Sequence, residues 1–211
     1  MRLAGISGVH RRRQHGCTRR DAKRQPQPDL VQRNFVPTGP DRLWVADLTQ
    51  HNTGEGRLYL ATVLDAFSRR VIGWAMAPWA ETELAVNALD MALRNRQPGK
   101  GVIHHSDHGA QYTSLAFTKR LEQTGLVGSM GSVGDALDNA LVESFYATLQ
   151  TELLDRSPWP TRQRLATEIF SYIEVFYNRE RRHSALDYLT PDEYDRKAAG
   201  LHPTLRAQVA S

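Results

Sequence analysis

Short apolar segments rich in β-branched and aromatic residues begin near residue 42, and polar positions alternate with them. Three such segments cover residues 43–50, 58–64 and 71–76. The breaks between them contain Gly, Asn, Asp and Ser and are short enough for hairpin turns. The pattern therefore predicts three consecutive strands in an antiparallel meander.

The spacing of the apolar residues changes after Pro78. Across residues 81–96, Leu and Ala recur at helical spacing until Pro98 and Gly99 end the pattern. A strand at 102–106, a helix at 114–123 and a short strand at 126–130 follow. A meander followed by strand–helix–strand units predicts an α/β fold, in which helices pack on a mixed five-stranded sheet.

The flanking regions differ from this core. Residues 1–40 combine arginines with four prolines and show no sustained periodicity, which is typical of an arm or linker. After Pro158 and Pro160, a long amphipathic helix is predicted at 162–179, and a shorter helix begins at Pro191. We therefore expect an arm at 1–40, a core at 41–155 and a C-terminal helical extension at 156–211.

Composition is ordinary for a globular protein of 211 residues, with 40% hydrophobic and 24% charged residues. No apolar run is long enough to cross a bilayer, so we expect a cytoplasmic protein without a membrane partner. The single Cys17 excludes an internal disulfide and a zinc site built from cysteines.

Charge is distributed unevenly along the chain. Residues 1–40 carry nine Lys and Arg against two Asp, while the remainder carries a net charge of −3. A basic arm that includes Arg11, Arg12 and Arg13 suits a nucleic acid, because each cation that neutralises a phosphate releases a counterion. The alternative is a solvated leader without a partner, since basic runs are weak motifs.

Three acids stand out from this background. Asp47 lies in an apolar strand and shares a face with Leu43 and Val45, where an ordinary core strand would carry another apolar residue. Asp107 follows a buried strand at a His-Gly turn, and Glu143 lies on a helix beside its core stripe. Considered singly, Asp107 is typical of a turn acid and Glu143 of a solvated helix charge.

The combination points to a metal site. A buried carboxylate persists only if it is paired, hydrogen-bonded or bound to a metal, and no basic residue lies in the strand of Asp47 after Arg42. Carboxylate oxygens suit hard cations such as Mg²⁺. Two such ions about 3.5–4 Å apart can hold the attacking and leaving oxygens of a phosphoryl displacement.

An ordered set of motifs resembles the DDE transposases of the IS-three insertion-sequence family, which are related to retroviral integrases. The set comprises residues 44–49, 64–69 with 72–74, 105–114, 129–130, 138–140, 143–144, 177–178, 182–184 and 190–191. The resemblance implies a ribonuclease-H-like fold and a triad of Asp47, Asp107 and Glu143. It also implies two Mg²⁺ or Mn²⁺ ions, cleavage of DNA ends and strand transfer.

Motif residues around the triad are further candidates for DNA contact. Gln111 and Tyr112 match the family motif, and the tyrosine offers a stacking face. Alternatively, Tyr112 packs against the helix that follows. Asn139 matches the residue one turn before Glu143, although helix capping by Asp138 and Asn139 explains it nearly as well.

The tail and the histidines carry weaker signals. Asn178, Arg182 and His183 match the family's tail motif, where a solvated helix end is the competing account. A zinc site at His104, His105 and His108 is disfavoured, because cysteines and a second spaced histidine pair are lacking. His105 is expected to be structural or to support the site indirectly.

The chain departs from the family pattern at two places. Gln150 stands where relatives generally have Lys or Arg, so a phosphate contact there loses its charge-assisted part. The family's upstream helix-turn-helix region is represented only by a remnant. We expect a truncated copy, an internal start, or a product whose OrfA-type partner supplies DNA-end recognition, acting as a homo-oligomer on DNA. A ribonuclease-H-type nuclease and a non-catalytic DNA-binding remnant are the alternative functions.

Overall fold

A computed structural model describes residues 27–131 and 140–208. Within these ranges the predicted meander is confirmed, with strands β1 (Leu43–Thr53), β2 (Gly56–Asp65) and β3 (Val71–Ala77). β1 pairs antiparallel with β2, and β2 pairs antiparallel with β3. The two hairpins therefore build three strands of the sheet from chain segments that are neighbours in sequence.

Two parallel strands complete the sheet. β4 (Ile103–Ser106) pairs parallel with β1, and β5 (Val127–Met130) pairs parallel with β4, which gives the order β3-β2-β1-β4-β5. The predicted mixed five-stranded sheet is therefore confirmed. β4 joins the sheet beside β1, so the first strand of the meander becomes the central strand of the sheet.

One face of the sheet is covered by helices α1 (Thr82–Arg96) and α2 (Leu115–Thr124). Side chains from the sheet and both helices form its core, among them Trp44, Ala46, Ile72, Leu89 and Phe117. Gly73 is required where β3 meets α1, because a Cβ there would lie 2.2 Å from the carbonyl oxygen of Ala88. The close contact fixes α1 against the meander.

The opposite face is covered by helices α3 (Ala140–Glu152) and α4 (Arg162–Ser171). Leu43 and Val45 belong to this second core, whereas Trp44 and Ala46 belong to the first. Side chains alternate along a strand with a period of two. Asp47 therefore shares the face of Leu43 and Val45, as predicted, and the structure shows that α3 covers this face.

The helix predicted at 162–179 is present over that range, but it is not α-helical throughout. α4 ends at Ser171, and a π-helical segment (Tyr172–Tyr177) continues from it. Asn178 then lies 2% exposed, and its side-chain amide accepts from the N–H and donates to the C=O of Val71, both at 3.0 Å. The alternative of a solvated helix end at Asn178 is therefore wrong, because the side chain continues the hydrogen bonding of β3.

The chain then turns through a 3₁₀ turn (Ser184–Leu186) into α5 (Pro191–Gln208). Thr190 and Glu193 form a reciprocal cap, in which each side chain accepts from the other's backbone N–H. The helix start at Pro191 is therefore confirmed, but the prediction of a short helix is wrong, because α5 spans 18 residues. Across residues 27–131 and 140–208, no helix combines the length and the apolar character needed to span a membrane.

Candidate active site

The first two acids are brought together by the register of β1 and β4. The parallel ladder between these strands ends at the pair Ala46 and Ser106. Asp47 is the next residue of β1 and Asp107 directly follows β4, so the two acids lie side by side at the carboxyl end of the ladder. In open α/β sheets, this edge is where binding and catalytic groups collect.

Backbone N–H groups hold both carboxylates. The Leu48 N–H donates to Oδ1 of the half-buried Asp47 at 2.7 Å. The Gly109 N–H donates to Oδ1 of the exposed Asp107 at 2.9 Å. A Cβ at Gly109 would lie 2.8 Å from that oxygen, so a larger residue there would displace the Asp107 carboxylate.

Tyr146 connects the third acid to this edge. Glu143 is exposed in the first turn of α3, and Tyr146 follows it by three residues on a neighbouring face. The Tyr146 hydroxyl donates to the carbonyl oxygen of Asp47 at 2.7 Å and lies 2.8 Å from Oγ1 of the fully buried Thr62. Since the tyrosine proton goes to Asp47, the Thr62 hydroxyl donates to the tyrosine oxygen. α3 is therefore tied to β1 and β2 at the level of Asp47.

The pKa of Asp47 reflects both its burial and the two neighbouring acids. Burial raises the pKa of Asp47 to about 7, the Leu48 N–H opposes this rise, and the negative charges of Asp107 and Glu143 add to it. Charge on Asp47 is therefore costly near neutral pH unless a cation compensates it.

A hard divalent cation fits the chemistry of this donor set, which offers carboxylate oxygens without thiols. Among the residues that the structure describes, no three His, Cys, Asp or Glu side chains meet in a metal-binding arrangement. Asp47, Asp107 and Glu143 would therefore have to draw together around an ion.

The neighbouring motif residues make internal contacts. The Gln111 side-chain amide donates to the carbonyl oxygen of Ala80 at 2.7 Å, which ties the loop after β4 to the segment before α1. Tyr112 is only 2% exposed and packs edge-to-face on Phe117. This arrangement favours the packing interpretation of Tyr112 over a stacking platform for DNA.

Gln150 lies on the same flank of α3 as Glu143 by helical periodicity, and its amide donates to the carboxylate of Asp155. Asn139 and the arginines of the arm, Arg11, Arg12 and Arg13, lie outside the described residues. DNA contact by these residues stays a prediction.

The histidines are structural in this arrangement. Buried His105 bonds through Nδ1 to Ser129 Oγ at 2.9 Å. His108 bonds through Nε2 to the carbonyl oxygen of Gly131 at 2.6 Å. His104 packs against Phe117, and burial lowers its pKa to about 4. The three side chains serve separate contacts, which agrees with the sequence-based argument against zinc.

The sequence analysis assigned Tyr146 no role. Its partners, Thr62 and the Asp47 carbonyl, are 84 and 99 residues away. The sequence signal that could have identified Tyr146 was its position about one helical turn after Glu143, a candidate acid.

We expect Tyr146→Phe to lower the free energy of unfolding by about 1–2 kcal/mol, because buried Thr62 loses its hydrogen-bond acceptor. Urea unfolding measures the change. Tyr188→Phe is the matched control, since Tyr188 is 68% exposed. Equal stability of the Tyr146→Phe protein and the control would contradict the role of the hydroxyl.

Comparisons with known proteins agree with this geometry. Two families, both described as integrase core domain, match residues 37–136 and 124–191. The transposase for insertion sequence element IS904 of Lactococcus lactis is 37% identical over 196 residues, which cover 93% of this chain and 78% of that protein. Transposase InsF for insertion sequence IS3A of Escherichia coli is 41% identical over 169 residues, 80% of this chain and 59% of InsF. The chain thus spans about three fifths of the length of InsF.

Solved structures share the fold. The HTLV-2 integrase catalytic core domain in complex with magnesium superposes with a TM-score of 0.57 at 16% identity, over 75% of this chain and 98% of that one. The catalytic core domain of BIV integrase gives 0.55 at 14% identity, over 77% of this chain and 98% of that one. The predicted ribonuclease-H-like architecture is therefore confirmed.

Proposed function

Because the chain belongs to the integrase-core family of insertion-sequence transposases, we propose that it catalyses metal-dependent cleavage of DNA ends followed by strand transfer. Asp47, Asp107 and Glu143 form its carboxylate triad. The observation that carries this proposal is the β1–β4 register, which sets Asp47 beside Asp107, together with the effect of Glu143 on the pKa of Asp47. Rigid strands and a packed helix thus supply all three acids.

Two divalent ions, Mg²⁺ or Mn²⁺, would be held by Asp47, Asp107 and Glu143. Bound there, such ions stabilise the charge that develops on the phosphoryl and leaving oxygens. Magnesium in the HTLV-2 integrase core supports this assignment by analogy of fold.

The chain's own groups orient these ligands. The Leu48 N–H holds one carboxylate oxygen of Asp47, and the Gly109 N–H holds one of Asp107. Both side chains are therefore already restricted, so they lose less conformational entropy when they bind a cation. Tyr146 is a positioning residue. Its hydrogen bond to the Asp47 carbonyl oxygen fixes the position of α3, and therefore of Glu143, relative to β1. Pre-organisation of this kind contributes much of the rate in phosphoryl transfer.

The substrate of this activity would be DNA, both the element end and the target. The basic arm at 1–40 would bind DNA, and an OrfA-type partner would supply helix-turn-helix recognition. We further propose a homo-oligomer on paired DNA ends in association with the nucleoid, and a division of the chain into arm, core (41–155) and extension (156–211). The named transposase relatives support the substrate class.

A strand-transfer assay with Mg²⁺ and labelled element-end DNA tests the proposal, with and without the OrfA-type partner. We expect Asp107→Asn to reduce joined product about a thousandfold, because a lost metal ligand removes several kcal/mol of transition-state stabilisation. Asp187→Asn is the matched control, since Asp187 is an exposed acid of the C-terminal extension.

The alternatives give different products in the same assay. Cleavage without joining would identify a ribonuclease-H-type nuclease. DNA binding without product under any condition would identify a non-catalytic remnant. Equal activity of the Asp107→Asn and Asp187→Asn proteins would contradict the triad itself.

A further inference from the structure

A cavity with a strongly basic wall lies beside α3, outside the carboxylate edge. Its volume is about 310 Å³. One wall is a flank of α3 that carries Leu141, Ser144 and Thr148. The other wall combines Arg69, from the turn after β2, with residues 181–185 and 188 of the segment before α5. Three separate parts of the chain therefore meet around one opening.

The arginines of this cavity differ in how far they are neutralised. Arg181 pairs with Glu152 at 3.0 Å. Arg182 donates to the carbonyl oxygen of Tyr188 at 2.9 Å and stands 3.9 Å from the Glu193 carboxylate. Within residues 27–131 and 140–208, the guanidinium of Arg69 has neither an ion pair nor a hydrogen bond. The cavity therefore holds positive charge that the protein does not balance.

His183 does not add to this charge. Burial, together with the positive charges of Arg181 and Arg69, lowers its pKa to about 4, so the ring is neutral at pH 7. The imidazole packs edge-to-face on Tyr177 with ring centroids 5.0 Å apart. The neutral His183 therefore lines the cavity without adding charge, and the arginines supply its positive charge.

The backbone at Arg69 is held in an unusual conformation. Its φ is +57°, a left-handed value that costs a non-glycine residue about 1 kcal/mol or more. The Arg69 N–H donates to the carbonyl oxygen of Asp65 at 2.8 Å, and the Tyr177 hydroxyl donates to the carbonyl oxygen of Arg69 at 3.3 Å. Two elements therefore enforce a strained turn, and its side chain lines the cavity.

The position of the cavity on α3 connects it to the triad. Ser144 follows Glu143 directly, so the two side chains diverge by about 100° around the helix. Among the residues that the structure describes, the exposed α3 side chains between the two flanks are short: Ala140, Ser144, Ala147 and Thr151. A polyanionic strand can therefore cross α3 closely from Glu143 to the cavity.

We propose that this cavity binds a backbone phosphate of the DNA strand that crosses α3, with Arg69 and Arg182 as the contacting cations. The assignment rests on the proposed function for the identity of the polymer. Guanidinium groups suit phosphate oxygens because their planar donors match them in pairs. The hydroxyls of Ser144 and Thr148 line the opposite wall and complete a polar lining.

The test is the salt dependence of binding to a labelled DNA duplex of arbitrary sequence, measured by fluorescence anisotropy with the full chain. We expect Arg69→Gln to weaken binding roughly tenfold at moderate salt. It should also reduce the slope of log affinity against log salt by about 0.9, the value for one phosphate contact. Arg69→Lys should keep most of the slope, because it preserves the charge.

Arg94→Gln is the matched control, because Arg94 is exposed on α1, which packs on the opposite face of the sheet. All variants contain the basic arm at 1–40, so its contribution to DNA affinity is the same in each and does not affect the comparison. Gln, Lys and Arg share the same backbone cost at a left-handed φ, so thermal unfolding should be similar for all. If Arg69→Gln nevertheless fails to fold, Arg182→Gln carries the same expectation.

Unchanged affinity and slope in the Arg69→Gln and Arg182→Gln proteins would overturn the phosphate site, even if the wild-type chain makes joined DNA products. Competition by millimolar inorganic phosphate at constant ionic strength would identify a free-anion site and overturn the assignment to DNA. Loss of slope in a chain that makes no joined product would keep the phosphate site and reject the proposed transposase activity.

Discussion

Asp47→Asn is expected to stabilise the protein above pH 7 while it abolishes strand transfer. The pKa of Asp47 is about 7 in the folded protein and 3.8 in its ordinary state. Between these two values the folded state binds more protons than the unfolded state, so wild-type stability falls as pH rises from about 4 to about 7. The neutral amide removes this loss and keeps an oxygen for the Leu48 N–H.

The gain at pH 8 is as much as about 4 kcal/mol, since each pKa unit corresponds to 1.36 kcal/mol, and it vanishes near pH 4. Urea unfolding at both pH values measures it, with Asp187→Asn as the control. Mg²⁺ should stabilise the wild-type protein at pH 8 through binding to the folded state, but not the variant. A difference that is independent of pH would contradict the assigned pKa.

Arg96→Met is expected to lower the free energy of unfolding by about 3–5 kcal/mol, the usual cost of leaving a buried charge unpaired. Arg96, only 9% exposed in its side chain, donates to Asp41 at 2.8 Å, to Asp65 at 2.9 Å and to Asp195. Asp65 is completely buried at the end of β2. Without the arginine, Asp41 and Asp65 converge with no cation between them, and Asp195 keeps only its ion pair with Arg70 at 3.4 Å.

The loss should be greatest at neutral pH and smaller under acidic conditions, where protonation removes the carboxylate charges. Urea unfolding measures it, and Arg94→Met on the exposed side of the same helix is the control. Because Asp195 belongs to α5, the variant should also release that helix first, which hydrogen exchange can detect. Equal stability of the two variants would show that the network contributes nothing.

The local pattern of apolar and polar residues predicted the positions of most strands and helices well. The strands and α1 begin and end within a few residues of the predicted bounds, because alternation and helical spacing report directly which side of an element is buried. The exception is the helix predicted at 162–179, where the spacing of apolar residues did not reveal the π-helical segment Tyr172–Tyr177. A single extra residue per turn changes periodicity too little to be read from one sequence.

The sequence by itself determined that Asp47 stands where a core residue belongs, and it singled out Asp107 and Glu143 as its companions. Only the tertiary structure decided that β4 lies beside β1, that Tyr146 ties α3 to Asp47, and that Arg69 meets Arg182 in one cavity. Periodicity reports which face of an element is buried. Which elements meet depends on packing between residues that are often 60 to 100 positions apart, and that packing sets the pKa of Asp47 and the unbalanced charge of Arg69.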